Sequence, residues 1–387
     1  MIDNRSLSPC QHDRPVDRNN IMRHAEDPDL RVLLVGNGRS GSSFVGGLFN
    51  RAPGFFYLFE PLMRHTGTTV NLTDLLECTF RVHSQPIVGQ LQCYRSGSCR
   101  GGGSVSRAAL AASCLSRRHR ALKLVRLVDA APLFSAAQSL PANARLHVIH
   151  LVRDPRAVLF SMASAKDFQR LFALPKSAEK LWQRPDILRR VAATICARSA
   201  NLHRAAALNG EGHPQARYAL LRYEDVALAP AKLALALWQF VQGFARSVRA
   251  GSRLGQHARG AHRNVTRLPA ELSRYLALNT GAAVAPSSER SYYSIARRNP
   301  GAHVDEWWRH MPRPACLVVT AACASTLQLF SYPPSCPAPR GPRPLKAGGS
   351  ECTNTKADGW CSDKKEDGKC SKKEVAKKCA KTCGKCT

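Results

Sequence analysis

The segment Gly36-Asn-Gly-Arg-Ser-Gly-Ser-Ser-Phe44 has the make-up of an anion cradle. Its glycines allow tight turns, so that successive backbone N–H groups can face one ligand. A helix beginning there would add about half a positive charge at the same spot. Ser42 and Ser43 supply hydroxyl donors, and Arg39 puts a guanidinium inside the loop. Gly36, Gly41 and Ser43 match the spacing of the nucleotide-kinase loop G-x-x-x-x-G-K-[ST], but Ser42 stands where the lysine belongs. The serine that would hold magnesium is kept, and the group that reaches the β- and γ-phosphates is gone. This pattern describes a phosphate cradle rebuilt for a ligand other than ATP and magnesium. An empty Gly/Ser turn is the bland alternative, and the loop's position between a strand and a helix weighs against it.

A second anchor follows in Leu151-Val-Arg-Asp-Pro-Arg-Ala-Val-Leu-Phe-Ser161. Arg153, at a strand end, offers a planar fork that fits a phosphate. Pro155 opens a helix, which sets Ser161 about two turns in, within reach of the same ligand. Taken alone, the segment reads equally as an Arg–Asp surface pair and an ordinary helical serine.

The elements that must position these groups follow from apolar periodicity. Arg31–Gly36, Phe55–Phe59, Ala121–Arg126, Arg145–Val152 and Tyr218–Tyr223 read as strands. Ser42–Asn50, Ala157–Ala165, Ile187–Ala207 and Pro230–Phe244 read as helices, the first weakened by Gly46 and Gly47. Residues 64–118 look like an insertion, with Cys78, Cys93, Cys99 and Cys114 able to form two local disulfides of unreadable pairing. Residues 245–300 read as long loops, and Asp305–Phe330 as a final helical segment. Strands alternating with helices predict an α/β fold: a P-loop-like parallel sheet with helices on both faces. The expected organisation is a flexible lead or stalk over 1–29, a main domain over 30–335, a Pro/Gly-rich linker over 336–350 and a cysteine-rich module over 351–387.

Composition narrows the partner. The 57 Lys and Arg against 27 Asp and Glu give a formal net charge of +30. Such a surface favours anionic partners, among them nucleotides, acidic glycans, membranes and nucleic acid, without choosing between them. Nucleic-acid binding lacks support, because no aromatic stacking motif or reader module is present. Six of the 15 cysteines lie between Cys352 and Cys386, a density that points to disulfides and an oxidising compartment. The sequons at Asn4, Asn71 and Asn264 agree weakly with a secretory route. No stretch is apolar enough for a membrane anchor, and no signal-peptide core follows Met1. These two readings conflict unless the N-terminus is incomplete or export uses another signal.

The two anchors taken together resemble the Golgi carbohydrate sulfotransferases, in particular the galactose/N-acetylgalactosamine/N-acetylglucosamine 6-O group. Arg39-Ser40-Gly41-Ser42-Ser43-Phe44, with Leu48-Phe-Asn50 and Phe59-Glu-Pro61, is similar to that group's 5′-phosphosulfate motif. Leu151-Val-Arg-Asp-Pro-Arg156 with Ser161 is similar to its 3′-phosphate motif. Ala121–Arg126, Cys196-Ala-Arg198, Leu221–Asp225, Ser291–Arg297, Cys323 and Tyr332 extend the resemblance over roughly residues 30–335. It implies in-line transfer of a sulfuryl group from 3′-phosphoadenylyl sulfate (PAPS) to a sugar hydroxyl in a glycan or glycosaminoglycan, in the Golgi lumen or secretory pathway, with no metal. The loop amides, Ser42, Ser43 and Arg39 would receive the charge growing on the leaving phosphate. Arg153 and Ser161 would hold the 3′-phosphate, with Arg297 as a third cation and Tyr223 against the adenine. Glu60, ending the second strand, is the expected base for the hydroxyl. Its bland alternative is a salt bridge with a loop arginine. His65, His150 and Lys123 are weaker candidates, since a lone histidine is usually structural and Lys123 is equally an ion-pair partner. A nucleotide kinase and a non-catalytic binder of anionic glycans are the rival functions; the missing loop lysine weighs against the first, and the intact loop, Arg153, Ser161 and Glu60 against the second.

The ending Cys379-Ala-Lys-Thr-Cys-Gly-Lys-Cys386 resembles the ShK toxin-like (ShKT) domain. That resemblance implies the pairs Cys352–Cys386, Cys361–Cys379 and Cys370–Cys383. About 35 residues bury too little apolar surface to fold unaided, so covalent staples are expected. Six thiols without a nearby histidine disfavour zinc.

Overall fold

The computed structural model describes residues 28–61, 72–80, 106–125, 127, 131–210, 216–242, 265–281, 284, 299–336, 361–363 and 366. Its strands are β1 (Asp29–Gly36), β2 (Phe55–Phe59), β3 (His119–Leu124), β4 (Ala144–Val152) and β5 (Ala216–Arg222). They form one sheet in the order β2-β3-β1-β4-β5, and every pairing is parallel.

The helices between them are α1 (Ser42–Arg51), α2 (Leu72–Leu76), α3 (Arg107–Leu115), α4 (Ala131–Ser139), α5 (Pro155–Ala163), α6 (Lys166–Leu171), α7 (Ala178–Trp182) and α8 (Pro185–Gly210). After β5 come α9 (Tyr223–Leu228), α10 (Pro230–Val241), α11 (Ala270–Asn279), a 3₁₀ turn (Pro300–His303), α12 (Glu306–His310), α13 (Arg313–Ala322) and α14 (Ala324–Leu329).

The central strand shows why both faces are covered. Leu33 and Val35 point into a core with α2, α3 and α4, while Leu30, Val32 and Leu34 point into another with α1, α10 and α11. A strand buried on both faces reads as a continuous apolar run, as Leu30–Val35 does apart from the buried Arg31. A third core packs α5 and α8 against α12, α13 and α14. The α/β class with a parallel sheet and helices on both faces is therefore the observed one.

Several local expectations change. Residues 270–279, read as loop, are helical, because Leu272, Tyr275 and Leu276 form a buried i, i+3, i+4 stripe. The surrounding Arg, Gly and Ser concealed it. Asp305–Phe330 is three helices with breaks near Pro312 and Cys323. Tyr223 opens α9 instead of closing β5. The insertion carries α2 and α3, stapled by a disulfide between Cys78 and Cys114; Cys93 and Cys99 lie outside the described residues. Two further disulfides, Cys196–Cys323 and Cys316–Cys336, tie α8 and α13 to the end of the sheet-bearing unit.

The chain divides into two compact units, Met1–Cys336 and Pro337–Thr387. In the second, Cys361 is buried and disulfide-bonded, and the expected partners in the Cys352–Cys386, Cys361–Cys379 and Cys370–Cys383 set lie outside the described residues. Among the described residues, no helix is long and apolar enough to cross a membrane.

β4 carries two buried histidines. His147 stands edge-on to Phe240 at 5.3 Å, and among the described residues neither ring nitrogen has a hydrogen-bond partner of good geometry. His150 Nδ1 lies 2.9 Å from the Tyr218 hydroxyl. Burial holds both well below the ordinary 6.5, at about 3. Below pH 6.5 the unfolded chain takes up protons that these folded sites refuse, so stability falls as pH drops toward 3. His147→Leu should flatten the pH slope of the unfolding free energy in that window by up to about 1.4 kcal/mol per pH unit, as read from urea denaturation at a series of pH values.

Candidate active site

Parallel neighbours in one sheet end at the same edge, and β1 and β4 end together, with Gly36 opposite Leu151. The approach is close enough that a Cβ on Gly36 would lie 2.3 Å from the Leu151 carbonyl oxygen. The loops after the two strands are therefore forced into contact, which is where ligands bind in open α/β sheets. β3 and β2 end at the same edge on the other side of β1, with Phe59 opposite Lys123.

The loop after β1 turns through left-handed backbone at Arg39 and Gly41 (φ 70° and 83°). Asn37 ties it to α8, its Nδ2 donating to the Ile195 carbonyl at 2.9 Å and to Ser199 Oγ at 2.7 Å. Gly41 caps α1 with no side-chain hydrogen bond, so the first-turn amides are not taken by a capping side chain. Ser40 and Ser42 are buried, Ser43 and Phe44 partly so. The Phe44 carbonyl accepts a 2.8 Å hydrogen bond from the Tyr275 hydroxyl.

The two anchors meet. Arg153 Nη1 donates to the Arg39 carbonyl at 2.9 Å, and Arg39 Nε donates to Ser161 Oγ at 3.1 Å. The Arg153 guanidinium lies 4.2 Å from the centre of the Tyr223 ring. That ring also fills the space beside Gly41, where a Cβ would come within 2.4 Å of it. Gly41 is thus required twice, for its backbone angle and for the tyrosine face. The side chain of Arg39 reaches across to Ser161, which puts it with the second anchor.

On the opposite side of the loop sits Lys123, 2% exposed. Its ammonium donates to Glu60 Oε1 at 2.7 Å and to Ser43 Oγ at 3.0 Å, and lies 3.7 Å from the Phe59 ring centre. Glu60 itself holds a left-handed backbone (φ 43°), its N–H donating to the Lys123 carbonyl at 3.0 Å. Among the described residues, Lys123 is thus an ion-pair partner of Glu60. Lys123 bridges carboxylate and cradle; with Arg120 it is one of two charged residues in the buried run Arg120–Val125. His150 is a core residue packed on Phe330. His65 and Arg297 lie outside the described residues.

The arrangement suits a ligand rich in anionic oxygen. Ser40 Oγ and Arg153 Nε are buried with no hydrogen-bond partner among the described residues, one in the cradle and one in the second anchor. A buried polar atom without a partner is costly, and phosphate oxygens would satisfy both.

No protein-family model matches the chain. Carbohydrate sulfotransferase 6 of Homo sapiens is 28% identical over 348 residues, covering 79% of this chain and 81% of that protein. Carbohydrate sulfotransferase 3 of Homo sapiens is 28% identical over 359 residues, covering 79% and 67%. Among solved structures, the sulfotransferase domain of the Synechococcus PCC 7002 olefin synthase covers 80% of this chain and 96% of its own, at 16% identity and a TM-score of 0.42. The sequence relatives make the chain an enzyme of the sulfotransferase class. The relatives named here are, within that class, carbohydrate sulfotransferases.

Lys123→Met keeps the stem and removes the ammonium that faces the Glu60 carboxylate, which is only 13% exposed. Breaking an enclosed pair in this way costs about 3 kcal/mol. Chemical denaturation should show that loss, and adding Glu60→Gln to Lys123→Met should recover part of it.

Proposed function

We propose that this protein is a PAPS-dependent carbohydrate O-sulfotransferase acting on the 6-hydroxyl of N-acetylglucosamine, galactose or N-acetylgalactosamine in a glycan or glycosaminoglycan. The observation that carries the reading is the junction of the two strand-end loops, where Arg39, Arg153, Ser161 and Tyr223 form one cluster beside the cradle. A donor with phosphates at both the 5′ and 3′ positions calls for two linked anion sites, and ATP calls for one.

The donor supplies a sulfuryl group on its 5′-phosphate and leaves as adenosine 3′,5′-bisphosphate. The residues of the chain divide the remaining tasks. Loop amides at the start of α1, with Ser40, Ser42 and Ser43, hold the 5′-phosphate and meet the charge that grows on it. Lys123 adds a cation next to Ser43 on that side. Arg153, Ser161 and Arg39 hold the 3′-phosphate; Tyr223, under Arg153, offers its ring to the adenine; Arg297 is a further cation for the nucleotide. Glu60 takes the proton of the acceptor hydroxyl as its oxygen bonds to sulfur and the bond from sulfur to the 5′-phosphate oxygen breaks. Lys123 fixes the position of that carboxylate through one of its oxygens.

The net charge of +30 supports an anionic acceptor chain. The disulfides Cys78–Cys114, Cys196–Cys323 and Cys316–Cys336 support a Golgi or secretory location. In this reading residues 30–335 are the transferase, and 351–387 an appended ShKT module of docking or spacer use.

The direct test is transfer of labelled sulfate from PAPS to glycosaminoglycans and to glycans ending in N-acetylglucosamine; no transfer to any of them defeats the assignment. Arg153→Ala should weaken binding of adenosine 3′,5′-bisphosphate by at least about tenfold, measured by calorimetry, and unchanged affinity removes the 3′-phosphate site. Glu60→Gln should keep that affinity and lose about a hundredfold or more in turnover, while wild-type turnover would exclude Glu60 as the base.

A further inference from the structure

Besides Tyr223, which the proposed function gives to the adenine, Arg153 is held from behind by residues that the transfer chemistry does not use. The first two residues of α9 grip it at both ends. Tyr223 lies under its guanidinium, 4.2 Å away. Glu224 Oε1 accepts a 3.0 Å hydrogen bond from the backbone N–H of Asp154, the amide that joins Asp154 to Arg153. The other oxygen, Glu224 Oε2, accepts from the Tyr332 hydroxyl at 2.9 Å.

Tyr332 belongs to the tail that closes the sheet-bearing unit, and that tail is fixed in turn. The Arg222 guanidinium covers the Tyr332 ring at 4.4 Å. The carbonyls of Pro333 and Ser335 accept from Arg156 at 3.0 and 2.8 Å, and Cys336 is bonded to Cys316. Arg156, fully buried, also makes two bonds to the Asp154 carboxylate, at 2.9 and 2.7 Å. The Arg153–Asp154 peptide is therefore clamped through its N–H by Glu224, while the adjoining side chain is clamped by Arg156.

An ordinary scaffold would not need a carboxylate here. The Asp154 N–H precedes α5 and requires one acceptor, which water or a backbone carbonyl can supply. A carboxylate was placed there instead, at an enclosed position where burial pushes its pKa up and nearby Arg153 opposes the shift. Both its oxygens accept hydrogen bonds, so its direction is set by two partners on different parts of the chain.

We propose that Glu224, locked by Tyr332, is a positioning residue for the Arg153 phosphate contact, so that the tail Tyr332–Cys336 helps to set donor affinity. The proposal rests on the reading of Arg153 as the 3′-phosphate ligand.

The test compares Glu224→Ala, Glu224→Gln and Tyr332→Phe in the full chain. Glutamine keeps both bonds, its carbonyl accepting from Asp154 and its amide donating to a rotated Tyr332 hydroxyl. Glu224→Ala should raise the KM for PAPS about tenfold with kcat changed by no more than about twofold, and Tyr332→Phe should raise it by about threefold. Glu224→Gln should restore the wild-type KM. The discriminating arm is adenosine 5′-phosphosulfate, which lacks the 3′-phosphate: Glu224→Ala should leave its affinity unchanged and should add nothing to Arg153→Ala for adenosine 3′,5′-bisphosphate. Equal losses for nucleotides with and without the 3′-phosphate, or a fall in kcat alone, would reduce Glu224 to a scaffold residue and overturn the proposal. If Glu224→Ala does not fold, Tyr332→Phe and Glu224→Gln against the same two nucleotides give the answer. A wild-type protein that does not distinguish those nucleotides removes the Arg153 reading itself, a different failure from a wild-type protein that does and a variant that matches it.

Discussion

Parallel pairing of β1 with β4 puts Gly36 against the Leu151 carbonyl, and the geometry of the site follows from that contact. Two strands in register deliver their following loops to one place, each loop turning back into a helix. The loop after β1 brings glycines, serines and an arginine; the loop after β4 brings Arg153 and, through α5, Ser161. Neither segment alone distinguishes a two-phosphate ligand from a single anion. Arg39 joins the two, bonding Arg153 through its backbone and Ser161 through its side chain. Glycine at position 36 is needed on steric grounds, since any side chain would push the strands apart and separate the anchors.

The buried charges follow a similar logic. Charged side chains leave water only when paired and hydrogen-bonded. Lys123 is paired with Glu60 and rests on Phe59; Arg156 is paired with Asp154 and with two carbonyls. Arg31, in the middle of an apolar run, reaches Glu77 and so fastens the segment after α2 to the sheet. In each case one charged side chain joins elements that are far apart in sequence. Arg39 and Arg153 differ in standing where the strand-end loops open, with Arg153 Nε unsatisfied among the described residues. Arg31 and Arg156 hold the frame, while Lys123, beside Ser43, stands at the edge of the cradle as well.

Much of this was legible in the residues. The strands showed as apolar runs, and the loop at 36–44 and the Arg153–Ser161 segment were visible because glycine, proline and arginine have few interchangeable partners at such turns. Helix α11 was not legible, because a three-residue apolar stripe is faint amid arginine and glycine. The importance of Lys123 was underestimated, since reading along the chain shows that a lysine interrupts a strand but not which carboxylate faces it. Disulfide partners likewise depend on which helix crosses which: Cys196 finds Cys323 across 127 residues, a distance with no local signature. The link from Glu224 to Tyr332 belongs to the same kind, a contact that exists only once the tail has folded back.

Helix α1 has glycines at positions 46 and 47, poor helix formers that nevertheless sit mid-helix. A Cβ at Gly46 would meet the Tyr57 hydroxyl at 2.1 Å, and one at Gly47 would meet the Tyr275 hydroxyl at 2.1 Å. Two phenols from opposite flanks thus press into consecutive notches, like pins in a keyed shaft. Movement of the helix along or about its axis would bring its backbone against one hydroxyl or the other, which favours a fixed direction for its leading amides. Substitution within such a lock is expected in matched steps, a larger residue on the helix arriving with a shorter ring opposite, because either change alone leaves the shaft jammed or loose.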